Sequence, residues 1–213
     1  MIRIFLFDQR LPCIIEPIRF GEAEAKRIEN INNPKRKLES LCALAALDEL
    51  IRISHISYPL EILREENGKP YFKNSDISFS LSHSGDISVA AICDEKDNIV
   101  GVDVEKIIDR GNIDELAERF FSNAEKLDFL EHGKTPKAFF EIWTKKEAYA
   151  KMTGDGLSIL IKEHSRSSKN IDSVYFEYYN ILKEYSLSIC SIRKADNVEF
   201  YNNFAGAKIQ QQQ

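Results

Sequence analysis

Two carboxylates lie close together on a predicted β-strand. In the segment Val100–Glu105 three valines occupy alternate positions, which is typical of a strand with one face in the protein core. Asp103 and Glu105 then share the opposite face, where their like charges repel each other unless a cation or basic side chains lie between them. Carboxylate oxygens are the ligands that a hard divalent cation prefers. The spacing leaves two interpretations open: a cation-binding pair, or a solvent-facing strand edge with lysines nearby.

A second group of ionisable residues lies on a predicted helix. Apolar residues recur at helical spacing from Phe139 to Ala150. Glu147 and Lys151 lie four residues apart and therefore share one face of that helix. They could form an ordinary ion pair on the helix surface, or they could supply a carboxylate and an ammonium group to a site. Gly154 predicts the end of the helix, because glycine readily adopts the left-handed conformation of a C-terminal cap.

The segment Ser82–Gly85 places two hydroxyl groups next to an imidazole but does not predict a serine hydrolase. Adjacent residues on a strand point to opposite faces, so neither serine can use His83 as its base, and the sequence contains no G-x-S-x-G motif. His83 is therefore either a ligand contact or a hydrogen-bonded histidine of the core. In the turn before it, Lys69 precedes Pro70 and could meet a phosphate or be a lone surface lysine.

Positive charge is concentrated at one place, although the chain as a whole is acidic. Lys35, Arg36 and Lys37 are consecutive, with Lys26 and Arg27 shortly before them. Such a group could hold a phosphorylated small molecule or form a solvated helix face. The net charge of −5 argues against nucleic acid as the main partner, since neutralising phosphates requires a basic surface.

The composition excludes several other classes of protein. The 213 residues can form one large domain or two small ones, and no apolar run approaches the roughly 20 residues of a membrane helix. The first ten residues lack the pattern of a secretory signal, so we expect a cytoplasmic protein without membrane contact. The four cysteines are far apart, which argues for core packing rather than for zinc or disulfides.

Hydrophobic periodicity predicts helices followed by strands, twice along the chain. The predicted helices span about 22–31, 36–53, 113–130 and 136–152. The predicted strands lie at about 2–7, 77–81, 88–92, 99–104, 174–179, 185–192 and 198–204, with a surface loop at Lys162–Asn170. The second, third and fourth of these strands predict an antiparallel meander. We therefore predict an α+β protein of two similar halves, 1–106 and 107–213, each with helices packed on a small antiparallel sheet. The predicted halves are related by a pseudo-twofold axis, with the active site at their junction.

The order of the motifs is similar to that of a known family. From Asn67 to Ser158 the chain contains, in order, G-K-P, S-H-S-G, G-V-D-V-E-K, R-F-F-S-x-x-E and W-T-K-K-E-A-Y-x-K-x-x-G-x-G-L-S. This series resembles the 4′-phosphopantetheinyl transferase superfamily, specifically its two-half, surfactin-synthetase-activating type. Each motif alone is weak, but five in the family's order are highly specific.

The resemblance implies a set of ligands for magnesium and coenzyme A. Asp103, Glu105 and Glu147 would bind Mg²⁺, which also contacts the diphosphate of coenzyme A. The implied contacts to the nucleotide and its phosphates, besides Asp103, are Lys69, Pro70, Ser82, His83, Lys146 and Lys151. The implied contacts to the 3′-phosphate are Lys35, Arg36, Lys37 and Ser40. Glu39 departs from the family pattern, because a basic residue is common at its position.

The resemblance also implies the reaction and its partners. The 4′-phosphopantetheine group would pass from coenzyme A to a serine of an apo acyl or peptidyl carrier protein, and adenosine 3′,5′-bisphosphate would leave. Glu147 is the first candidate for the base and Glu125 the second, with Lys151 neutralising phosphate charge. We expect a monomer. The hypothesis for carrier docking is the helix Asp114–Leu130 with its following loop, because Phe120, Phe121 and Leu127 lie beside the predicted site.

Two other classes remain open from the residues alone. A metal-dependent phosphodiesterase or pyrophosphohydrolase could use the pair Asp103 and Glu105, although such sites usually need more carboxylates and histidines. A module that binds coenzyme A or a carrier without catalysis would keep the fold, but Glu147 and Lys151 argue against such a loss. A hydrolase would consume a diphosphate without a protein acceptor, and a binding module would show no turnover.

Overall fold

The computed structural model of the protein describes residues 1–156 and 174–204, and the loop predicted at Lys162–Asn170 lies outside them. The α-helices are α1 (Glu22–Glu29), α2 (Pro34–Ile53), α3 (Ile113–Phe120), α4 (Asn123–Glu131) and α5 (Pro136–Thr153). The strands are β1 (Ile2–Asp8), β2 (Ile62–Arg64), β3 (Pro70–Phe72), β4 (Ser78–Ser84), β5 (Ile87–Cys93), β6 (Val100–Lys106), β7 (Tyr175–Ile181), β8 (Tyr185–Ser191) and β9 (Val198–Asn202). The predicted α+β class is confirmed. The twofold relation between halves stays a prediction.

The strands form two main sheets and one small ribbon. The first sheet has the order β4-β5-β1-β9 and the second the order β6-β8-β7, while β2 pairs with β3. In the first sheet β1 is antiparallel to β5 but parallel to β9, so this sheet is mixed rather than antiparallel throughout as expected. The second sheet is antiparallel.

The predicted meander of β4, β5 and β6 is wrong at its third strand. β5 has β4 on one side and β1 on the other, so it has no free edge at which β6 could pair. β6 instead pairs with β8, Asp103 lying opposite Ser188. Alternation alone could not reveal this, because it predicts which face of a strand is buried and not which strand lies beside it.

The segments 1–106 and 107–213 each contribute a strand to the other's sheet. β6 precedes the predicted boundary but pairs with β8, and β9 follows the boundary but pairs with β1. The division at residue 106 stays a prediction. The strand pairing does show that neither segment by itself contains a complete copy of its sheet.

Two long helices cover the sheets, and both begin with the same local signal. Asn33 caps α2 by accepting a hydrogen bond from the Arg36 amide, and Thr135 caps α5 in the same way, each cap being followed by a proline. α2 packs on β1 and β5, and α5 packs on β6 and β8. Gly154 ends α5 in the left-handed conformation with φ of 83°, as predicted.

The helix predicted over 113–130 is two helices, α3 and α4. Ser122 accepts a hydrogen bond from the Glu125 amide, and the Glu125 carboxylate accepts one from the Ser122 amide. This reciprocal capping box begins a new helix, because it satisfies amide groups that a continuous helix would bond internally. The sequence S-x-x-E carried that signal. In the described part of the chain, no helix combines the length and the apolar character needed to cross a membrane.

Candidate active site

Asp103 and Lys151 form an ion pair where β6, β4 and α5 meet. The Lys151 ammonium donates to Asp103 Oδ1 at 2.7 Å and to the Ser82 hydroxyl at 2.6 Å. Ser82 in turn donates to Asp103 Oδ1 at 2.7 Å. Lys151 of α5 therefore pairs with Asp103 of β6. The ion pair with Glu147 on its own helix, which the spacing allowed, is not the one that forms.

Two further carboxylates, those of Glu105 and Glu147, lie close enough to Asp103 for its negative charge to affect their pKa values. Burial raises the pKa of Glu147 to about 7, with a further contribution from the negative charge of Asp103. Burial also raises the pKa of Glu105, which accepts a hydrogen bond from the Ser84 hydroxyl at 2.6 Å. The site thus concentrates three carboxylates where water cannot fully solvate their charges.

The donor chemistry of this cluster fits a hard divalent cation. Asp103 is only 4% exposed, and its Oδ2 is buried without a hydrogen-bond partner among the described residues. Such an oxygen is costly unless something binds it, and carboxylate oxygens are the ligands that Mg²⁺ prefers. However, no three His, Cys, Asp or Glu side chains within 1–156 and 174–204 converge on one point in this structure. The fit therefore rests on charge and ligand type, and the metal site stays a prediction.

A cavity of about 370 Å³ opens beside the cluster. The residues of the sequence prediction that line it are Ser40, Lys69, Pro70, His83, Glu147 and Lys151. Lys69 donates from Nζ to the Met152 carbonyl at 2.5 Å, so it links the turn before β3 to the end of α5. Five of the eleven predicted coenzyme A contacts and the predicted metal ligand Glu147 therefore share one cavity.

His83 lies on the cavity side of β4, opposite in direction to Ser82. Its Nδ1 is 3.5 Å from Glu39 Oε2, and burial lowers the pKa of the imidazole despite the opposing effect of Glu39. Glu39, the residue that departs from the family pattern, thus faces a cavity residue. This placement favours the interpretation of His83 as a ligand contact over that of a core histidine.

Several predicted contacts do not line the cavity. Ser82 is buried against Asp103, so its hydroxyl serves that carboxylate and Lys151. Lys35 lies 3.9 Å from Glu39, and Lys37 donates to the Glu29 carbonyl. Arg36, whose amide is capped by Asn33, is exposed like Lys35 at the start of α2, and Lys37 is half-buried. Of the predicted 3′-phosphate contacts, only Ser40 reaches the cavity wall.

Two arginines also line the cavity: Arg27, which the sequence analysis placed near the basic cluster, and Arg64, which it missed. Arg27 makes two hydrogen bonds to the Glu24 carboxylate at 2.9 and 2.7 Å, and Arg64 approaches the same carboxylate at 3.3 Å. Glu24 is only 2% exposed, so one buried carboxylate holds both guanidinium groups at the cavity wall. The spacing of Glu24 and Arg27 was a visible signal on α1, but only the fold brings Arg64 to them.

Lys146 and Glu125 bind each other outside the cavity. Lys146 Nζ is 2.8 Å from Glu125 Oε2, the same oxygen that accepts the Ser122 amide at 2.7 Å. Glu125 is therefore engaged as a helix cap and as an ion-pair partner. This argues against its proposed role as a base.

We expect Glu125→Gln to retain the transfer activity that the family resemblance implies. The glutamine can still complete the capping box but loses the ion pair with Lys146, so the loss of stability should be about 1 kcal/mol. The measurement is the rate of phosphopantetheine transfer together with the unfolding midpoint in urea. A fall in kcat of about 100-fold or more, the effect expected of a general base, would instead restore Glu125 to the reaction.

The predicted docking segment presents an apolar surface only on its second helix. Phe121 is buried against Phe139 with stacked rings 5.3 Å apart, and Phe120 packs edge-on against Trp143. Leu127, in contrast, is 61% exposed, and Leu130 on the same helix is also exposed. Any partner on this segment would therefore contact α4 rather than the two phenylalanines.

Comparison with known proteins identifies the family. The profile of the 4′-phosphopantetheinyl transferase superfamily matches residues 99–206. The chain is 31% identical to the 4′-phosphopantetheinyl transferase HetI of Nostoc sp. over 163 residues, which cover 61% of this chain and 68% of the relative. It is 34% identical to AcpT of Escherichia coli over 147 residues, covering 65% and 70%. It is 29% identical to Sfp of Bacillus subtilis over 141 residues, covering 60% and 61%.

These matches agree with the motif series, the α+β fold and the acidic cluster beside a cavity. The chain belongs to the 4′-phosphopantetheinyl transferase superfamily. The profile includes β6 and α5, the two elements that carry Asp103, Glu105, Glu147 and Lys151.

Proposed function

We propose that this chain transfers the 4′-phosphopantetheine group of coenzyme A to a serine of an apo acyl or peptidyl carrier protein. The reaction depends on Mg²⁺ and releases adenosine 3′,5′-bisphosphate. The observation that carries the proposal is the cavity itself, which has cationic side chains on its wall and opens beside three carboxylates. A diphosphate and a divalent cation require that combination of charges.

The cavity wall is suited to the polyanionic end of coenzyme A. The volume of about 370 Å³ is within the usual range for small-molecule sites. Arg27, Arg64 and Lys69 supply positive charge on one part of the wall, and Lys151 supplies it next to Glu147. Guanidinium groups form paired hydrogen bonds with phosphate oxygens, so the arginines would hold a phosphate in a fixed orientation. Lys151 would contact the diphosphate near the carboxylates.

The metal would be held by Asp103, Glu105 and Glu147. When bound, Mg²⁺ supplies positive charge that stabilises the diphosphate in the transition state. Asp103 brings a buried oxygen that no protein donor satisfies in the described residues. Lys151 already neutralises part of the charge of Asp103.

Glu147 is positioned to serve as the base because it alone of the three carboxylates lines the cavity. The hydroxyl of the carrier serine would give its proton to Glu147, directly or through a water molecule. The serine oxygen would form a bond to the phosphorus that carries pantetheine. The bond from that phosphorus to the bridging oxygen would break, and adenosine 3′,5′-bisphosphate would leave with the electron pair. Lys151 would neutralise the charge that develops on the leaving group.

Removal of one guanidinium group from the wall should weaken coenzyme A binding. We expect Arg64→Gln to raise the Kd for coenzyme A about 10-fold, since a charge-assisted hydrogen bond contributes roughly 1.5 kcal/mol. Calorimetric titration measures this directly. Arg52→Gln is the matched control, because Arg52 is exposed on α2, does not line this cavity and pairs with half-buried Glu49. Equal affinities for coenzyme A in both variants would contradict the proposal that this part of the cavity wall binds coenzyme A.

The carrier would approach the cavity mouth with its serine, and α4 is the proposed docking helix. Exposed Leu127 and Leu130 could pack against an apolar patch of the carrier. We further propose that the protein acts as a cytoplasmic monomer.

The small-molecule products test this function against the two alternatives. The protein is incubated with coenzyme A and Mg²⁺, with and without an apo carrier, and the nucleotides are separated by chromatography. Release of adenosine 3′,5′-bisphosphate that requires the carrier supports the transferase. Nucleotide release without any carrier would indicate a hydrolase. Binding of coenzyme A without release for any of several carriers would indicate a module without catalysis.

A further inference from the structure

Four serines of β4 bind the backbone of β6 through their side chains. Ser78, Ser80, Ser82 and Ser84 alternate along β4, so their hydroxyl groups point to one face. They accept hydrogen bonds from the amides of Val100, Val102, Val104 and Lys106 at 3.0, 3.1, 3.4 and 3.1 Å, in that order. Serine hydroxyls thus replace backbone carbonyls as the acceptors that join the first sheet to β6. We call this row the serine ladder.

Within the described residues, the hydroxyls of Ser82 and Ser84 also bind a carboxylate, and those of Ser78 and Ser80 do not. Ser82 donates to Asp103 Oδ1 at 2.7 Å, and Ser84 donates to Glu105 Oε2 at 2.6 Å. The corresponding positions beside Ser78 and Ser80 are Ile99 and Gly101, which have no polar side chain. The ladder therefore joins β4 to β6 at four places and contacts a carboxylate at two.

The backbone bond decides which way the Ser84 hydroxyl points. A serine hydroxyl has one proton to donate and two lone pairs that accept. Because the Lys106 amide occupies a lone pair of Ser84, the proton is directed toward Glu105. A glutamate side chain has three rotatable torsions, and this bond restricts them. Arg110 also approaches Glu105 Oε2 at 3.2 Å, but its side chain is partly exposed.

We propose that Ser84 is a positioning residue, which holds the Glu105 carboxylate in the orientation that Mg²⁺ binding requires. This inference rests on the proposed function. Mg²⁺ demands near-ideal octahedral geometry, so a ligand that is free to rotate binds it less well. Hydrogen-bond partners of metal ligands commonly affect metal affinity about 10- to 100-fold, because they hold the ligand in the orientation that the metal requires. Ser82 has a similar place beside Asp103, but Lys151 contacts it as well, which makes Ser84 the clearer test.

The test compares Ser84→Ala with Ser78→Ala. Each variant loses one ladder bond to a β6 amide, but only Ser84→Ala also loses a bond to a carboxylate. Binding of Mg²⁺ to the protein with coenzyme A is measured by calorimetry, without carrier and therefore without turnover. We expect Ser84→Ala to raise the Kd for Mg²⁺ about 10-fold and Ser78→Ala to leave it unchanged. Both should lower the melting temperature by about 2–4 °C.

A double-mutant cycle separates positioning from a general structural role. In the Glu105→Gln background, Ser84→Ala should change the Kd for Mg²⁺ very little, because its effect acts through Glu105. Ser84→Thr keeps the hydroxyl and should bind Mg²⁺ like the wild type. If Ser84→Ala does not fold, Ser84→Cys replaces it in the cycle, because a thiol is only a weak donor. A Ser84→Cys protein with the wild-type Kd for Mg²⁺ would then overturn the proposal.

The failure of this inference is distinct from a failure of the proposed function. A wild-type protein without Mg²⁺-dependent transfer would contradict the function itself. A wild-type protein with that activity, together with equal Kd values for Mg²⁺ in Ser84→Ala and Ser78→Ala, would overturn only the role of Ser84.

Discussion

Asp103→Ala is expected to fold and to lose transfer activity by about 1,000-fold, as the loss of a central electrostatic group in other active sites does. The variant removes a predicted metal ligand and the partner of the Lys151 ammonium. Both losses act on the charge that develops at the diphosphate. They should therefore lower kcat more than they raise the KM for the carrier.

The same substitution should cost little stability. Asp103 Oδ2 is buried without a hydrogen bond among the described residues. Burial raises the pKa of both Glu105 and Glu147, and the charge of Asp103 adds to that rise. A buried charge in such surroundings is itself unfavourable, which offsets the loss of its ion pair. The Lys151 side chain is 30% exposed, so its ammonium group can turn toward water when Asp103 is removed.

The measurement is kcat for transfer together with the melting temperature. Asp196→Ala, at an exposed aspartate outside the site, is the control. Asp103→Ala with normal kcat would contradict the assignment of the site, and a protein that unfolds would show that the ion pair is chiefly structural.

Gly101→Ala should have the largest effect on the fold near the site. A Cβ at residue 101 would lie 2.0 Å from the Ala148 carbonyl oxygen and 2.6 Å from the Met152 amide nitrogen. Both atoms belong to the backbone of α5, so they cannot move unless the helix moves. We expect a loss of about 3 kcal/mol in the free energy of unfolding, the upper part of the range for overpacking.

Activity should also fall in Gly101→Ala, because the displaced helix carries Glu147 and Lys151. The shift would separate Lys151 from Asp103, which lies on β6 two residues beyond Gly101. Urea unfolding and the transfer rate measure the two effects. Gly111→Asn is the control, since its Cβ would meet no atom within 4 Å and asparagine tolerates the positive φ of 68°. A Gly101→Ala protein with wild-type stability and activity would show that the close approach of β6 and α5 is not required.

The elements that carry the acidic cluster could be predicted from the sequence because their patterns are local. Alternating valines placed Asp103 and Glu105 on one face of β6, and helical spacing placed Glu147 and Lys151 together on α5. Local signals also fixed the end of α5 at Gly154. The signal for the break between α3 and α4, the capping box at Ser122 and Glu125, is equally local. The apolar pattern continues across it, so one helix was predicted over 113–130.

Long-range features could not be predicted in this way. The pairing of β6 with β8 depends on which strand occupies the edge of β5, and no residue of β6 encodes that. Arg64 reaches the cavity through Glu24, which lies 40 residues earlier in the chain. Lys35, Arg36 and Lys37 are consecutive in the sequence but do not line the cavity, so their contact with the 3′-phosphate stays a prediction.

The most direct test of the central claim is the intact mass of a carrier protein. An apo acyl carrier protein is incubated with this protein, coenzyme A and Mg²⁺, and a parallel sample contains a chelator. The account predicts that the carrier gains the mass of one phosphopantetheine group and that the chelator abolishes the gain. A panel of apo acyl and peptidyl carriers that all keep their original mass would contradict it.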